Sequence, residues 1–270
     1  ENRPQYDHAG RVTATFQQYD EVPEVMTAKL TYNEIGQVVK KELHSEDNGA
    51  TFLQQVDFAY NIRGWLRGIN NPNTINQTDS MKYFGFALSY ETNGNVASSQ
   101  WKSARYADVR SYQYNYDAMN RIISTDYDGA HGDFDVSGIS YDLNGNILSL
   151  NRQGAVDETS FGAIDQLTYR YKGNRLLSVK DSATSTGYTH DFQDNQKWVV
   201  TDYYYDKNGN LKRDKNKDIQ NITYNHLNLP TSIQFSGNRE IRYTYDATGR
   251  KLQKQIIGAE TRTIDYLGGF

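Results

Sequence analysis

Cysteine is absent from this sequence, which excludes disulfides, zinc–thiolate sites and thiol catalysis together. Proline occurs four times, and no apolar run approaches the ~20 residues of a membrane-spanning helix, so no direct membrane insertion is expected. No long stretch repeats its apolar residues at period 3.6; residues 108–112 are the one place where a single helical turn is expected. Neither sign of charge dominates. The 29 Lys and Arg against 33 Asp and Glu leave a net −4, which gives no electrostatic reason to expect nucleic acid. A Gly-x-Ser-x-Gly elbow, a His-Glu-x-x-His helix and a phosphate loop are all missing. The five histidines, His8, His44, His131, His190 and His226, never stand three or four residues apart, so no metal pair is suggested.

What the chain does have is tyrosine, 22 of it, within an apolar share of only 37%. Tyrosine must therefore supply much of the burial: tyrosines holding the same place in successive units are expected to be mostly buried, packed ring against ring, with hydroxyls meeting the adjacent Asp and Asn turn groups. These tyrosines recur in a repeated unit. Tyr243-Thr244-Tyr245-Asp246-Ala247-Thr248-Gly249-Arg250 is written again at Tyr116-Asp117-Ala118-Met119-Asn120-Arg121, at Tyr141-Asp142-Leu143-Asn144-Gly145, at Tyr205-Asp206-Lys207-Asn208-Gly209 and at Tyr6-Asp7-His8-Ala9-Gly10. Before each turn, aromatic and β-branched residues alternate at period two, as at Tyr112/Tyr114/Tyr116 and Leu167/Tyr169/Tyr171, which is the signature of a half-buried strand. The Asp or Asn that follows can bond its own backbone two residues on and nucleate a turn. Four residues after Tyr6, Tyr32, Tyr60, Tyr90, Tyr116, Tyr141, Tyr205, Tyr224 and Tyr245 stand Gly10, Gly36, Gly64, Gly94, Asn120, Gly145, Gly209, Asn228 and Gly249. Gly and Asn are the residues that tolerate a left-handed backbone, a common closure for a tight hairpin. Tyr171 has its glycine two residues on, at Gly173, as though the turn were shortened.

The last three spacings between repeat tyrosines are 19, 21 and 21 residues, the length of strand, turn, strand and short return. Longer spacings carry their excess in polar loops expected around 45–50, 70–82, 128–138, 153–164 and 181–196. Roughly ten hairpin units imply an all-β chain of about twenty antiparallel strands in meander order, and a sheet that long must curve or close to protect its edges. The repeat runs through any midpoint, so residues 1–270 are expected to form one repeat region. The chain begins without an initiator Met and is expected to be a piece of a longer protein.

The Tyr-Asp-x-x-Gly-Arg/Asn unit resembles the YD repeat of the Rhs proteins, relatives of the teneurins and of Tc-toxin C components. Tyr60-Asn61-Ile62-Arg63-Gly64-Trp65 and Tyr90-Glu91-Thr92-Asn93-Gly94-Asn95, with Gln100-Trp101 after it, resemble the Bacteroidetes type. The resemblance implies a spiral sheet forming part of a hollow shell on a secreted or surface bacterial protein. It also implies a partner: the rest of the same polypeptide or an enclosed C-terminal toxin, as in polymorphic toxins. Rhs proteins that release a toxin share a self-cleaving element rich in Asp and Pro. Here Pro4, Pro23, Pro72 and Pro230 are not preceded by Asp, so no such element, and no catalytic residue, is assigned.

Two further stretches could carry chemistry. Asp214-Lys215-Asn216-Lys217-Asp218 resembles a calcium loop, but position six is Ile219 and position twelve Asn225, where an EF-hand needs Gly and Glu. It reads as a solvated turn, and no metal or other cofactor is assigned. Aromatic faces suit sugars, which makes Trp65, Trp101 and Trp198 candidates. Trp65 and Trp101 sit where strands are expected and read as packing residues, while Trp198 follows a polar loop and is open to either role. The leading expectation is a structural scaffold without reaction chemistry. The alternative is an extracellular binding module that grips glycan or a partner protein on an exposed aromatic β-surface.

Overall fold

The computed structural model describes residues 1–76, 78, 81–130, 132–184, 191–195 and 200–268. Contacts divide the chain into two compact units, Glu1–Asp135 and Val136–Phe270. The first holds β1 (Asn2–Tyr6), β2 (Val12–Gln17), β3 (Val25–Tyr32), β4 (Val38–Ser45), β5 (Gln54–Tyr60), β6 (Leu66–Ile69), β7 (Phe84–Tyr90), β8 (Val96–Ser103), β9 (Arg110–Tyr116) and β10 (Ile122–Asp128). Each of these pairs antiparallel with the next in chain order. The second unit holds β11 (Val136–Tyr141), β12 (Ile147–Ala155), β13 (Phe161–Lys172) and β14 (Arg175–Asp181), paired in the same way. It also holds a seven-stranded sheet of β15 (Tyr203–Tyr205), β16 (Leu211–Asp214), β17 (Ile219–Tyr224), β18 (Pro230–Phe235), β19 (Glu240–Tyr245), β20 (Lys251–Ile257) and β21 (Arg262–Asp265). The architecture is all-β, built from tandem antiparallel hairpins.

Every hairpin carries a bulge at its repeat tyrosine. Tyr6 pairs with Val12 while Gln5 pairs with Ala14, which leaves Thr13 as the extra residue. The same slip occurs at Tyr32, Tyr60, Tyr90, Tyr116, Tyr141, Tyr205, Tyr224 and Tyr245, and, with the shortened turn, at Tyr171. A bulge bends its strand, increases the local twist, and takes one residue's polar groups out of the ladder.

Two expectations are corrected. Residues 108–112 form no helical turn: from Arg110 the chain is strand β9, with Arg110 opposite Trp101. Extended backbone there lets Tyr112 stack on Trp101. Among the described residues the helical turn is Pro72–Thr74, where the Asn71 side chain accepts from the Asn73 N–H and proline leads. The loop expected over 153–164 is shorter, because Gly154 and Ala155 continue the ladder opposite Gly162 and Phe161.

The first unit buries Ala14, Phe16 and Met26, with Phe52 against them. The second buries Ile164, Leu167, Val179, Ile219 and Ile222, and with them Asp165, Asp202, Asp214 and Asn216. The buried Asp165 carboxylate is compensated by the Arg152 guanidinium and by the Phe192 N–H at 2.6 Å.

Candidate functional site

The recurring feature of each unit is its repeated turn. In the first, the Gly10 N–H donates to the Asp7 carbonyl at 3.0 Å and the Asp7 N–H to the Arg11 carbonyl at 2.9 Å. The Asp7 carboxylate then accepts from the Ala9 and Arg11 amides and from the Arg11 guanidinium. Asp117 does the same with Met119 and Arg121, and Asp142 and Asp206 with Asn144/Asn146 and Asn208/Asn210. Asp246 accepts from Thr248 and Arg250. The Arg11 and Arg121 amides hold the Asp7 and Asp117 carboxyls below their ordinary range. Where Glu91 replaces the Asp, its longer side chain leaves the inner bond to Asn93, whose amide oxygen accepts from the Asn95 N–H. Gly10, Gly36, Gly64, Gly94, Gly145, Gly209 and Gly249 have φ between 76° and 102°, with Asn120 at 61° and Asn228 at 57°.

The repeat tyrosines are half-buried rather than buried, and Tyr6 is 60% exposed. Their hydroxyls do not meet the turn Asp and Asn groups. They donate across to the preceding hairpin: Tyr32 to the Val12 carbonyl, Tyr60 to Val38, Tyr90 to Leu66, Tyr116 to Val96, Tyr205 to Leu176, Tyr224 to Leu211 and Tyr245 to Pro230, at 2.6–3.0 Å. Each accepting residue is the one opposite the repeat tyrosine of that hairpin, at its bulge. Nor do the repeat tyrosines stack on one another among the described residues. Tyr90 packs on Trp65 and Tyr32 under the Arg11 guanidinium. Partial burial pushes the Tyr116, Tyr205, Tyr224 and Tyr245 hydroxyls up.

The other candidates fall as follows. Trp65 stands one residue before β6, its ring beside the Arg63 guanidinium and at Gly94. Trp101 lies in β8 and stacks on Tyr112 at 5.6 Å, in a chain of rings that runs on through Tyr127 to Phe134. Trp198, His131 and His190 lie outside the described residues. His8 and His226 occupy turns, and His44 stands 3.3 Å from Glu46. Asp214, Asn216 and Asp218 do not converge. Asp214 spends one carboxylate oxygen on the Asn216 and Lys217 amides, and Asp218 faces Ser236 and Arg239. Among the described residues no group of three or more His, Asp or Glu side chains could hold a metal ion.

Sequence reasoning missed the buried polar group behind that turn. Asp202 is 2% exposed and accepts from the Val179 N–H, with the buried Asn216 side chain beside it. Burial pushes the Asp202 carboxyl up and the Tyr203 hydroxyl to about 12. A recess of about 480 Å³, lined by Asn195, Tyr203, Asn216, Lys217 and Arg239 among others, opens beside it. No local pattern marks Asp202, since it lies outside the repeat motif.

A family model described as the teneurin YD-shell matches residues 71–264. The search of curated proteins gave no match. Among solved structures, the fold is similar to the crystal structure of TcdB2-TccC3-Cdc42, with a TM-score of 0.68 and 17% identity over 98% of this chain. It is also similar to TcdB2-TccC3 without its hypervariable C-terminal region, with a TM-score of 0.66 and 16% identity over 98% of this chain. The chain spans 13% of the length of each.

Proposed function

The chain belongs to the teneurin YD-shell family, and from that premise we propose that it is one part of a larger shell that encloses or presents another polypeptide. The scaffold role rests on the YD-shell fold. The observation that carries it in this chain is the tyrosine bonding. Hydroxyl after hydroxyl is spent on the carbonyl of the preceding hairpin, which ties repeat to repeat and leaves these groups no reaction to perform. On this reading Tyr6, Asp7 and Gly10 and their counterparts through Gly249 are structural, residues 1–270 act as one repeat region, and the protein works outside the cell. The enclosed partner is a C-terminal stretch of the same polypeptide, such as a toxin; the structure of TcdB2-TccC3 without its hypervariable C-terminal region is consistent with a core that stands without such a stretch.

A second reading, glycan or partner-protein binding, is favoured by one cluster. Tyr83, Phe84 and Tyr106 are 51%, 42% and 44% exposed around the start of β7 and the end of β8. Limited proteolysis of the full-length protein separates the two. A shell protects the C-terminal stretch until the repeats themselves are cut or unfolded. A stretch digested at once, with the repeats intact and binding lost on Tyr83→Ala or Tyr106→Ala, supports the binding module instead.

A further inference from the structure

The repeated turn uses two residues, Gly and Asn, for the same left-handed position, and the choice follows the neighbouring turn. Consider the fifth residue after each repeat tyrosine, just past the left-handed one. In the turns of Tyr90 and Tyr205 these are Asn95 and Asn210, and in that of Tyr141 it is Asn146. The next turns carry Asn120 and Asn228 at the left-handed position and, in the shortened turn of Tyr171, Asn174 beside the left-handed Gly173. In each case two amides of the earlier turn donate to the side-chain oxygen of the later one. Asn93 and Asn95 donate to Asn120, both at 3.0 Å; Asn144 and Asn146 to Asn174 at 3.2 and 3.1 Å; Asn208 and Asn210 to Asn228 at 3.1 and 2.8 Å.

Where a bulkier fifth residue packs against the later turn, that turn has glycine and the space is filled. A Cβ built on Gly36 would stand 3.3 Å from the Arg11 guanidinium, one on Gly64 3.2 Å from the Gln37 amide, and one on Gly94 2.8 Å from the Trp65 ring. On Gly249 it would meet Leu229 at 3.1 Å and Leu227 at 3.5 Å. Left-handed backbone alone does not explain this division, since both residue types accept it.

We infer that each turn reads the one before it, through a neighbour rule in which a paired-amide socket accepts an Asn side chain and a bulky fifth residue packed against the turn demands Gly. Near-identical hairpins in tandem invite slipped or swapped neighbours. Two incompatible junction types, one closed by hydrogen bonds and the other by packing, disfavour exchange between them. The inference rests on the repeated turn being structural, yet its test compares identical substitutions and so can fail while the scaffold reading stands.

The test is a set of thermal melts on the whole chain. Gly249→Asn is compared with Gly10→Asn and Gly145→Asn, whose φ values of 76° and 84° lie close to the 87° of Gly249 but which have nothing within 4 Å of the added Cβ. Gly249→Asn should lose about 3–6 °C more than either. In the second arm, Asn228→Gly relaxes the backbone and should still lose about 2–4 °C, Asn208→Ala should lose a similar amount, and the double variant should lose no more than the larger single loss. Equal losses at the three glycines, a gain from Asn228→Gly, or simple additivity in the double variant overturns the rule.

Discussion

The Tyr224 hydroxyl donates to the Leu211 carbonyl at 2.7 Å, and Leu211 is the residue paired with Tyr205, the repeat tyrosine of the preceding hairpin. The bulge beside this carbonyl and the hydroxyl that bonds it belong to consecutive repeats. One aromatic side chain thereby does two jobs: it covers apolar surface within its hairpin and bonds a carbonyl of its neighbour.

Removing the ring as well as the hydroxyl separates those jobs. Tyr245 is half-buried and donates to the Pro230 carbonyl at 3.0 Å. Tyr245→Phe is expected to cost about 0.5–1.5 kcal/mol, the net worth of one hydrogen bond. Tyr245→Ala is expected to cost about 2–3 kcal/mol, less than the 3–5 of a fully buried ring. Urea denaturation of both variants checks the difference.

Gly209 has φ of 88° and an open surround, its nearest contact being Arg175 at 4.0 Å from a Cβ. Gly209→Val therefore isolates backbone strain and should cost about 1–2 kcal/mol, because a β-branched side chain crowds the left-handed conformation. A cost near zero in chemical denaturation would show that the turn relaxes without penalty.

Two carboxylates should give opposite pH dependence. Asp117 is held below its ordinary value by the Arg121 amide, so its contribution is present above the unfolded pKa and lost as pH falls through the folded one. Asp202 is raised by burial, so the folded state is favoured below its unfolded pKa and loses stability as pH rises through the folded value. Asp202→Asn keeps the acceptor for the Val179 N–H and removes the buried charge. It should raise the melting temperature at pH 7 and have less effect near pH 3, whereas Asp117→Asn should cost stability at pH 7 and little near pH 3. Melts across that range give the signs.

Chelation bears on the Asp214–Asp218 turn. Asp214 is committed to the Asn216 and Lys217 amides, so a chelator should leave the melting temperature unchanged. A fall of several degrees would assign a bound cation to these residues.

Much of the fold was legible because its signals are local. Period two around Tyr112, Tyr114 and Tyr116, the Asp at 117 and the Asn at 120 specify strand, turn and left-handed closure within nine residues. The bulges were not legible, since whether Thr13 is paired depends on which residue lies across from it. The hydroxyl partners were hidden for the same reason: Val12 accepts from Tyr32 only because hairpins stack in chain order. Asp202 was illegible because its burial is set by β14 and by the turn at 215–218, both distant in sequence. Arg110 was misread as helical because its strand is fixed by its cross-strand partner Trp101.

The most direct test of the account is a thermal melt of Tyr224→Phe beside Tyr6→Phe. Both substitutions delete one hydroxyl from the same place in the repeat. Tyr224 bonds the Leu211 carbonyl, while Tyr6 is 60% exposed and its hydroxyl meets no partner among the described residues. Tyr224→Phe should lose about 1–4 °C, and Tyr6→Phe should match the parent. Equal melting temperatures for the two variants would contradict the claim that the repeat tyrosines tie each hairpin to the one before.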